Sequence, residues 1–177
     1  MDIRKLTMPH LELLWNQFPK ANVNMGMKSG DEIMMIDRID GRQMPRTYFS
    51  PGKSIPFHCT GLGKILCCSL PDEEVLAMIE RAGGLRAYTE DTITDPDKYL
   101  EELHKVRIEG VARDRNEYII GDNCSAVPIY GADGSIVAGI STSALSPTMS
   151  VDEIEATIPM LKETASRISG MLGYATV

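Results

Sequence analysis

No run in these 177 residues approaches the roughly 18 consecutive apolar positions that a membrane-spanning helix needs. The amino-terminal stretch MDIRKLTMPH lacks the basic segment followed by an apolar one that marks a secretion signal, so the expected compartment is the cytoplasm. Basic charge is also short. There are 18 Lys and Arg against 25 Asp and Glu, a formal net charge of −7, the wrong sign for a surface whose main task is gripping a phosphate backbone. Cysteine is scarce: the four include the adjacent Cys67 and Cys68, too sparse a set for the disulfide framework of a small secreted domain, and reduced thiols are expected. Internal repeats and low-complexity linkers are missing, so nothing divides the chain. What remains is 43% hydrophobic content over a length that buries one sizeable core, and residues 1–177 are expected to form a single domain.

The pattern along the chain alternates helices and strands. In LELLWNQF, Leu11, Leu14, Trp15 and Phe18 stand at helical spacing and Pro19 ends the run, predicting an amphipathic first helix. ANVNMGMKSGDEIMMIDRIDGR splits into two extended runs around KSGD, a hairpin, to which MPRTYFSPG (44–52) adds a third strand. SLPDEEVLAMIERAGG opens with Pro71 and three acids, carries Val75, Met78 and Ile79 on one face and ends on paired glycines, which predicts a second helix. TDPDKYLEELHKVRIEG repeats the logic, with Asp95 as cap, Pro96 at the first helical position, a Tyr99, Leu103 and Val106 stripe, and Gly110 as terminator. Extended runs follow at GVARDRNEYIIG, CSAVPIYG and SIVAGISTSAL. A long terminal helix opens on Ser150 and Glu153 in capping-box spacing. Its buried stripe runs from Ile154 through Ile158, Leu161, Ala165 and Ile168 to Leu172, and Pro159 inside it predicts a kink. Helices flanking antiparallel strands make the fold class α+β.

The last two strands can be paired on paper. Asp133-Gly134 in YGADGS is a strong two-residue hairpin signal. With those residues as the loop, Cys124 faces Ser143, Ala126 faces Ser141 and Pro128 faces Gly139. Side chains alternate along a strand, so these six share one face while Val127, Ile129, Ile136 and Ile140 share the other. The second face is bulky and apolar, suited to packing against helices. The first is uniformly small, with two hydroxyls and a thiol, and suits a pocket floor; the competing reading is that small residues simply let a helix approach closely. A slip of one residue in register would exchange the faces.

PFHCTGLGKILCCSL (56–70) crowds a His, three Cys, two Gly and a Lys together. A phosphate loop would need Gly where His58 stands and Ser or Thr at Ile65, and the dinucleotide fingerprint would need a third glycine at Leu66. Neither is there. Zinc would need CxxC or spaced His and Cys pairs, so neither a metal nor a cofactor is expected, and Cys59, Cys67 and Cys68 read as small apolar fillers. A cysteine nucleophile needs a base within reach, whereas sequence neighbours such as His58 and Cys59 point in different directions. The remaining reading is mechanical. Thr60 caps a helix starting at Gly61, leaving the amides of Gly61, Leu62 and Gly63 without intrahelical partners beside the positive end of the helix. With no side chain at Gly61 or Gly63, a small carboxylate can approach that backbone closely. Tight packing of the helix on the sheet is the alternative use for the glycines, and Lys64 reads as a solvated helix residue.

Taken in order, PGKSIPFHCTGLGKILCCSLPDEE, TEDTITDPDKYLEELHKVRIEGVARDRNEYIIGDNCSAVPIYGADGSIVAGISTSALSPTMS and ASRISGMLGY resemble the effector-binding domain of the IclR-type bacterial transcriptional regulators. The resemblance runs from about Gly41 to Gly173, and more loosely before that. It is carried by a PxHxTxxGK element, a TxxTIT segment, an Asp-to-Cys spacing of ten and a Ser-x-Ser strand in one order. It implies a GAF-like fold, an antiparallel sheet flanked by helices, with a small-molecule pocket. It also implies assembly into homodimers or tetramers and control of DNA binding, as in a repressor, through a winged helix-turn-helix domain on the N-terminal side that is not in this sequence. The implied effector is a small carboxylate or sugar acid. Its carboxylate would lie on the amides of Gly61 and Leu62 and its other polar atoms on Asp114, Cys124, Ser141 and Ser143, with Thr60, Ile55 and Met44 along the wall. The chain departs from the family pattern at RNEYIIGDNC, where a pair of acids usually precedes the Gly, and at Leu62, where a smaller residue is frequent. The pairing and the resemblance thus meet at Cys124, Ser141 and Ser143. A cysteine enzyme on the same scaffold, using Cys124 or Cys59 with His58 or His104 as base, is the alternative; the pairing brings no His near Cys124, so the chain is expected not to be an enzyme. A purely structural dimerisation domain would have no pocket at all.

Overall fold

The computed structural model describes residues 2–42 and 50–176. Helix α1 (Ile3–Gln17) is capped by Asp2, which accepts from the Arg4 amide at 3.1 Å, so it starts well before the stretch whose spacing announces it. It runs through Pro9, with Leu11 and Leu14 buried beyond the proline. Strands β1 (Asn22–Ser29) and β2 (Glu32–Ile39) form the expected hairpin, turning at Gly30, whose φ of 59° suits glycine. The third strand expected over 44–52 falls mostly outside the described residues; the strand that extends the hairpin is β3 (Ser54–Ile55), with Ile55 opposite Ile33.

Three helices follow. The first, α2 (Gly61–Cys67), is buried along its whole length. Next, α3 (Asp72–Arg81) buries Val75, Met78 and Ile79. Last comes α4 (Pro96–Glu109), with Asp95 and a left-handed Gly110 as its two caps and Tyr99, Leu103 and Val106 buried, as their spacing predicts. The extended run GVARDRNEYIIG yields only β4 (Ala112–Arg115). It ends because Asn116 takes a positive φ of 62°, from which the chain loops to Gly121.

Strands β5 (Asp122–Tyr130) and β6 (Ile136–Leu145) complete a six-stranded sheet of order β3-β2-β1-β6-β5-β4, each neighbouring pair antiparallel. The expected partners hold: Cys124 faces Ser143, Ala126 faces Ser141 and Pro128 faces Gly139. The turn differs. Tyr130 pairs with Ile136 and the Gly131 amide donates to Ser135 O at 2.9 Å, so the loop is the three residues Ala132, Asp133 and Gly134. A bulge between Ile129 and Tyr130 then restores the register. It also flips Ile136, which packs with the cluster on the small-residue face, while Val137 joins Ile129 and Ile140 on the bulky face.

The terminal helix is two helices rather than one kinked helix. The capping box of Ser150 and Glu153 starts α5 (Val151–Glu155), and α6 (Ile158–Met171) begins after a break at Ala156 and Thr157. Pro159 stands in the first turn of α6, where its missing N–H removes no ladder bond. The stripe survives the break, with Ile154, Ile158, Leu161, Ala165 and Ile168 buried.

Each sheet face has its own core. Leu11, Leu14, Val23, Met25, Val127, Ile129, Ile140, Leu161 and Ile168 pack between the sheet and α1 and α6. On the other face Ile33, Met35, Leu62, Ile65, Val75, Met78, Tyr99 and Leu103 pack under α2, α3 and α4. This helix-sheet-helix layering is the α+β, GAF-like arrangement expected, and the candidate site lies on the α2 side.

Candidate functional site

The floor of the site is the small-residue face of three adjacent strands. On β1, Asn22 and Asn24 alternate with Val23 and Met25, which turns the two Asn toward α2; across the ladder Asn22 faces Ser143 and Asn24 faces Ser141. Asn24 Nδ2 donates to both hydroxyls, at 3.1 Å to Ser141 Oγ and 3.2 Å to Ser143 Oγ. Its Oδ1 accepts from Arg38 Nη1 at 2.9 Å, which fixes the amide orientation. On β5, Asp122, Cys124 and Ala126 continue the same face, and β4 adds Asp114 opposite Cys124.

Over this floor comes the start of α2. Thr60 Oγ1 donates to Pro56 O at 2.6 Å and accepts from the Gly63 amide at 3.1 Å, so Thr60 is the cap expected. One expectation is corrected here: the Gly63 amide is used by that cap. The amides of Gly61 and Leu62 make no hydrogen bond among the described residues. Because α2 has only seven residues, these two N–H groups, rather than a long helix dipole, are what the site offers an anion.

The packing explains the glycines. A Cβ on Gly61 would lie 2.9 Å from Cys124 Sγ and 3.2 Å from Ala126 Cβ, and one on Gly63 would lie 2.4 Å from Phe57 O. Close approach of helix to sheet and an open floor are therefore one arrangement here, not alternatives. Leu62 lies down on the sheet, where a Cβ on Gly26 or Gly139 would come within 3.1 Å or 3.2 Å of its methyl carbons.

Acidic groups define the chemistry of the far side. Asp114 is 3% exposed, and burial above all, with the charges of Glu117 and Asp122 adding to it, pushes its carboxyl up to about 8. Its Oδ1 accepts from the Glu117 amide at 2.9 Å. Asp122 is 7% exposed and pushed by burial up to about 6, against the pull of Arg38. At neutral pH Asp114 is mostly a neutral donor and Asp122 mostly an anion.

Lys64 overturns its sequence reading. It is fully buried, not solvated. Its Nζ donates to Glu117 Oε1 at 2.7 Å, Glu117 Oε2 at 3.0 Å and Arg113 O at 2.9 Å. Glu117 Oε2 also accepts from the Arg115 amide, while Thr92 Oγ1 donates to Glu117 O at 2.6 Å. The loop that presents Asp114 is thus tied to α2 through a satisfied buried ion pair.

The thiols sit in surroundings that disfavour thiolate. Burial pushes Cys124 up to about 12, with Asp114 and Asp122 adding to it, and raises Cys59 and Cys67 in the same way. His58 Nε2 lies 2.8 Å from Arg86 O and His104 Nε2 2.7 Å from Asp72 Oδ1; neither lines the space around Cys124.

That space is bounded by Asn24, Met35, Ile55, Thr60, Gly61, Leu62, Asp114, Asp122, Cys124, Ser141 and Ser143. It includes every expected site residue except Met44, which lies outside the described residues. Asn24, Met35 and Asp122 are additions. The cavity volume is about 20 Å³, room for roughly one water.

An antiparallel sheet layered between helices, with a cavity held under a glycine-started helix, makes this a candidate small-molecule-binding domain. Residues 1–170 match the family described as bacterial transcriptional regulator IclR C-terminal, and the chain belongs to it. It is similar to the HTH-type transcriptional repressor AllR of Escherichia coli K12, 33% identical over 151 residues, 85% of this chain and 55% of AllR. The chain therefore spans about half the length of such curated relatives. The Thermotoga maritima IclR structure superposes with a TM-score of 0.89 at 32% identity, covering 98% of this chain and 70% of that one. The inducer-binding domain of PobR from Acinetobacter, in a double-mutant complex with 3-hydroxybenzoic acid, gives 0.83 at 26% identity, covering 94% and 97%. No helix among the described residues is long and apolar enough to cross a membrane.

Proposed function

We propose that the cavity under α2 is the effector site and that it takes a small carboxylic acid. The observation that carries this is the pairing, across one cavity, of two unbonded amides at Gly61 and Leu62 with the hydroxyl floor of Ser141 and Ser143. The effector's carboxylate rests on the amides. Its other polar atoms meet Asp114, Cys124, Ser141 and Ser143, and Thr60, Ile55 and Met44 form the wall. The complex of a double mutant of the PobR inducer-binding domain with 3-hydroxybenzoic acid, a small carboxylic acid, supports the reading.

Residues 1–177 act on this reading as one effector-binding unit, working in the cytoplasm as a homodimer or tetramer through a winged helix-turn-helix domain on its N-terminal side. Occupancy alters DNA binding only by the effector's differential affinity for two arrangements of the regulator. No bond is made or broken, in keeping with thiols held protonated.

Calorimetric titration with a panel of small hydroxy, keto and amino acids tests it. The wild type is expected to bind at least one, and replacing both Ser141→Ala and Ser143→Ala to weaken that binding at least tenfold. Unchanged affinity in the double variant would remove the placement.

A further inference from the structure

The acid content of the cavity narrows the class of effector, given that the cavity is the effector site. The expected set of polar groups is neutral or hydrogen-bond donating apart from Asp114. The structure adds a second carboxylate, Asp122, which no sequence motif assigns to the site. It reaches the cavity because it lies two residues before Cys124 on β5 and so on the same face, roughly 7 Å along the strand. Gly61 sits over Cys124 and Ala126. The floor therefore has an amide end, at Gly61 and Leu62, and an acid end, at Asp122 with Asp114 beside it.

Asp122 is lightly tied: the Asn123 backbone N–H donates to its carboxylate and the charge of Arg38 favours its anion. It is 7% exposed, yet its carboxylate receives no hydrogen bond from another side chain among the described residues. The nearby cation Arg38 is shared: its Nε donates to Asp40 Oδ1 at 2.6 Å and its Nη1 to Asn24 Oδ1 at 2.9 Å. A carboxylate buried against a cavity, with the Asn123 backbone N–H as a donor, keeps acceptor capacity for a further donor from the occupant. A simple hydroxy or keto acid supplies the wrong sign, bringing its own anion beside one that the cavity already holds.

We infer that the effector is a small amino acid, a zwitterion whose carboxylate lies on the Gly61 and Leu62 amides and whose ammonium group lies on Asp122. Such a molecule adds no net charge, answers both ends of the floor and leaves its short carbon chain against Ile55, Leu62 and Met35. Asp122 is then the specificity-determining residue, and Ser141 and Ser143 serve any further hydroxyl.

The test uses matched pairs in which only the amino group changes: alanine with lactate, serine with glycerate, β-alanine with 3-hydroxypropanoate, and 4-aminobutanoate with 4-hydroxybutanoate. Each is titrated calorimetrically against the wild-type chain. In at least one pair the amino member is expected to bind tenfold or more tighter than its partner. Asp122→Asn, close in shape, should weaken the amino member at least tenfold and leave the hydroxy member unchanged or tighter. If hydroxy members bind as well as amino members, or Asp122→Asn weakens both alike, the amino-acid assignment is overturned while the effector site stands. If no member of any pair binds, both fall. The wild-type comparison decides the matter alone should the variant not fold.

Discussion

Asp114 sits where its charge is hardest to keep. Its folded value of about 8 lies above the ordinary 3.8, so the protonated form is the one that the fold favours. The stabilisation this gives is complete below 3.8 and is lost as pH rises through 8. Unfolding free energy of the wild type should therefore fall by roughly 1 kcal/mol per unit between pH 6 and 8 from this group. Asp122, with a folded value of about 6, adds its loss at lower pH. In Asp114→Asn, which cannot ionise, urea unfolding at pH 6 and pH 8 should give a distinctly smaller difference; an unchanged slope would contradict the assignment. Neither the burial of this acid nor that of Lys64 is legible in its own stretch of sequence. ARDRNE reads as a charged loop, and a lysine in a short helix reads as solvent-facing, because the partner that draws Lys64 inward, Glu117, is 53 residues away. That Ser141, Ser143 and Cys124 share one sheet face is legible, because strand alternation fixes faces locally. Asn24 and Asp122 obey the same alternation: Asn-Val-Asn-Met and Asp-Asn-Cys already place them on the floor once a neighbouring strand is known.

At the scale of elements, the approach of α2 to the sheet decides whether a cavity exists. The nearest point is Gly61, and an alanine there would drive its Cβ to 2.9 Å from Cys124 Sγ. Gly61→Ala should destabilise the chain by about 1–3 kcal/mol, and adding Cys124→Ala, which removes the struck atom, should restore most of that loss. Thermal unfolding of the two variants checks the pair, and equal melting temperatures would mean that the contact is not where the strain falls. The elements themselves were mostly readable. The hairpin partners of β5 and β6 came out right although the turn did not, because a longer loop and a bulge offset each other; the flipped Ile136 is the trace of that coincidence. The division of the terminal helix was missed for a similar reason. A continuous apolar stripe cannot distinguish a proline inside one helix from a proline opening the next, and the Thr157 hydroxyl, bonded to Ile154 O and lying 2.8 Å from Thr142 Oγ1, marks the junction only in three dimensions.

For the whole molecule, the layering was legible from periodicity, since one sheet between two sets of amphipathic helices needs two apolar faces and the chain supplies both. The near absence of standing room in the cavity was not, because volume depends on how far apart the layers settle. Space for about one water has a kinetic meaning. On the proposed reading of this cavity as the effector site, α2 or the wall beside it parts to admit the effector. Observed association rates should then rise with effector concentration and level off at the rate of opening, instead of climbing in a straight line. Stopped-flow mixing over a hundredfold concentration range separates the two shapes. On the same reading, a door that governs entry governs exit too, so a bound effector would outlast brief dips in its supply.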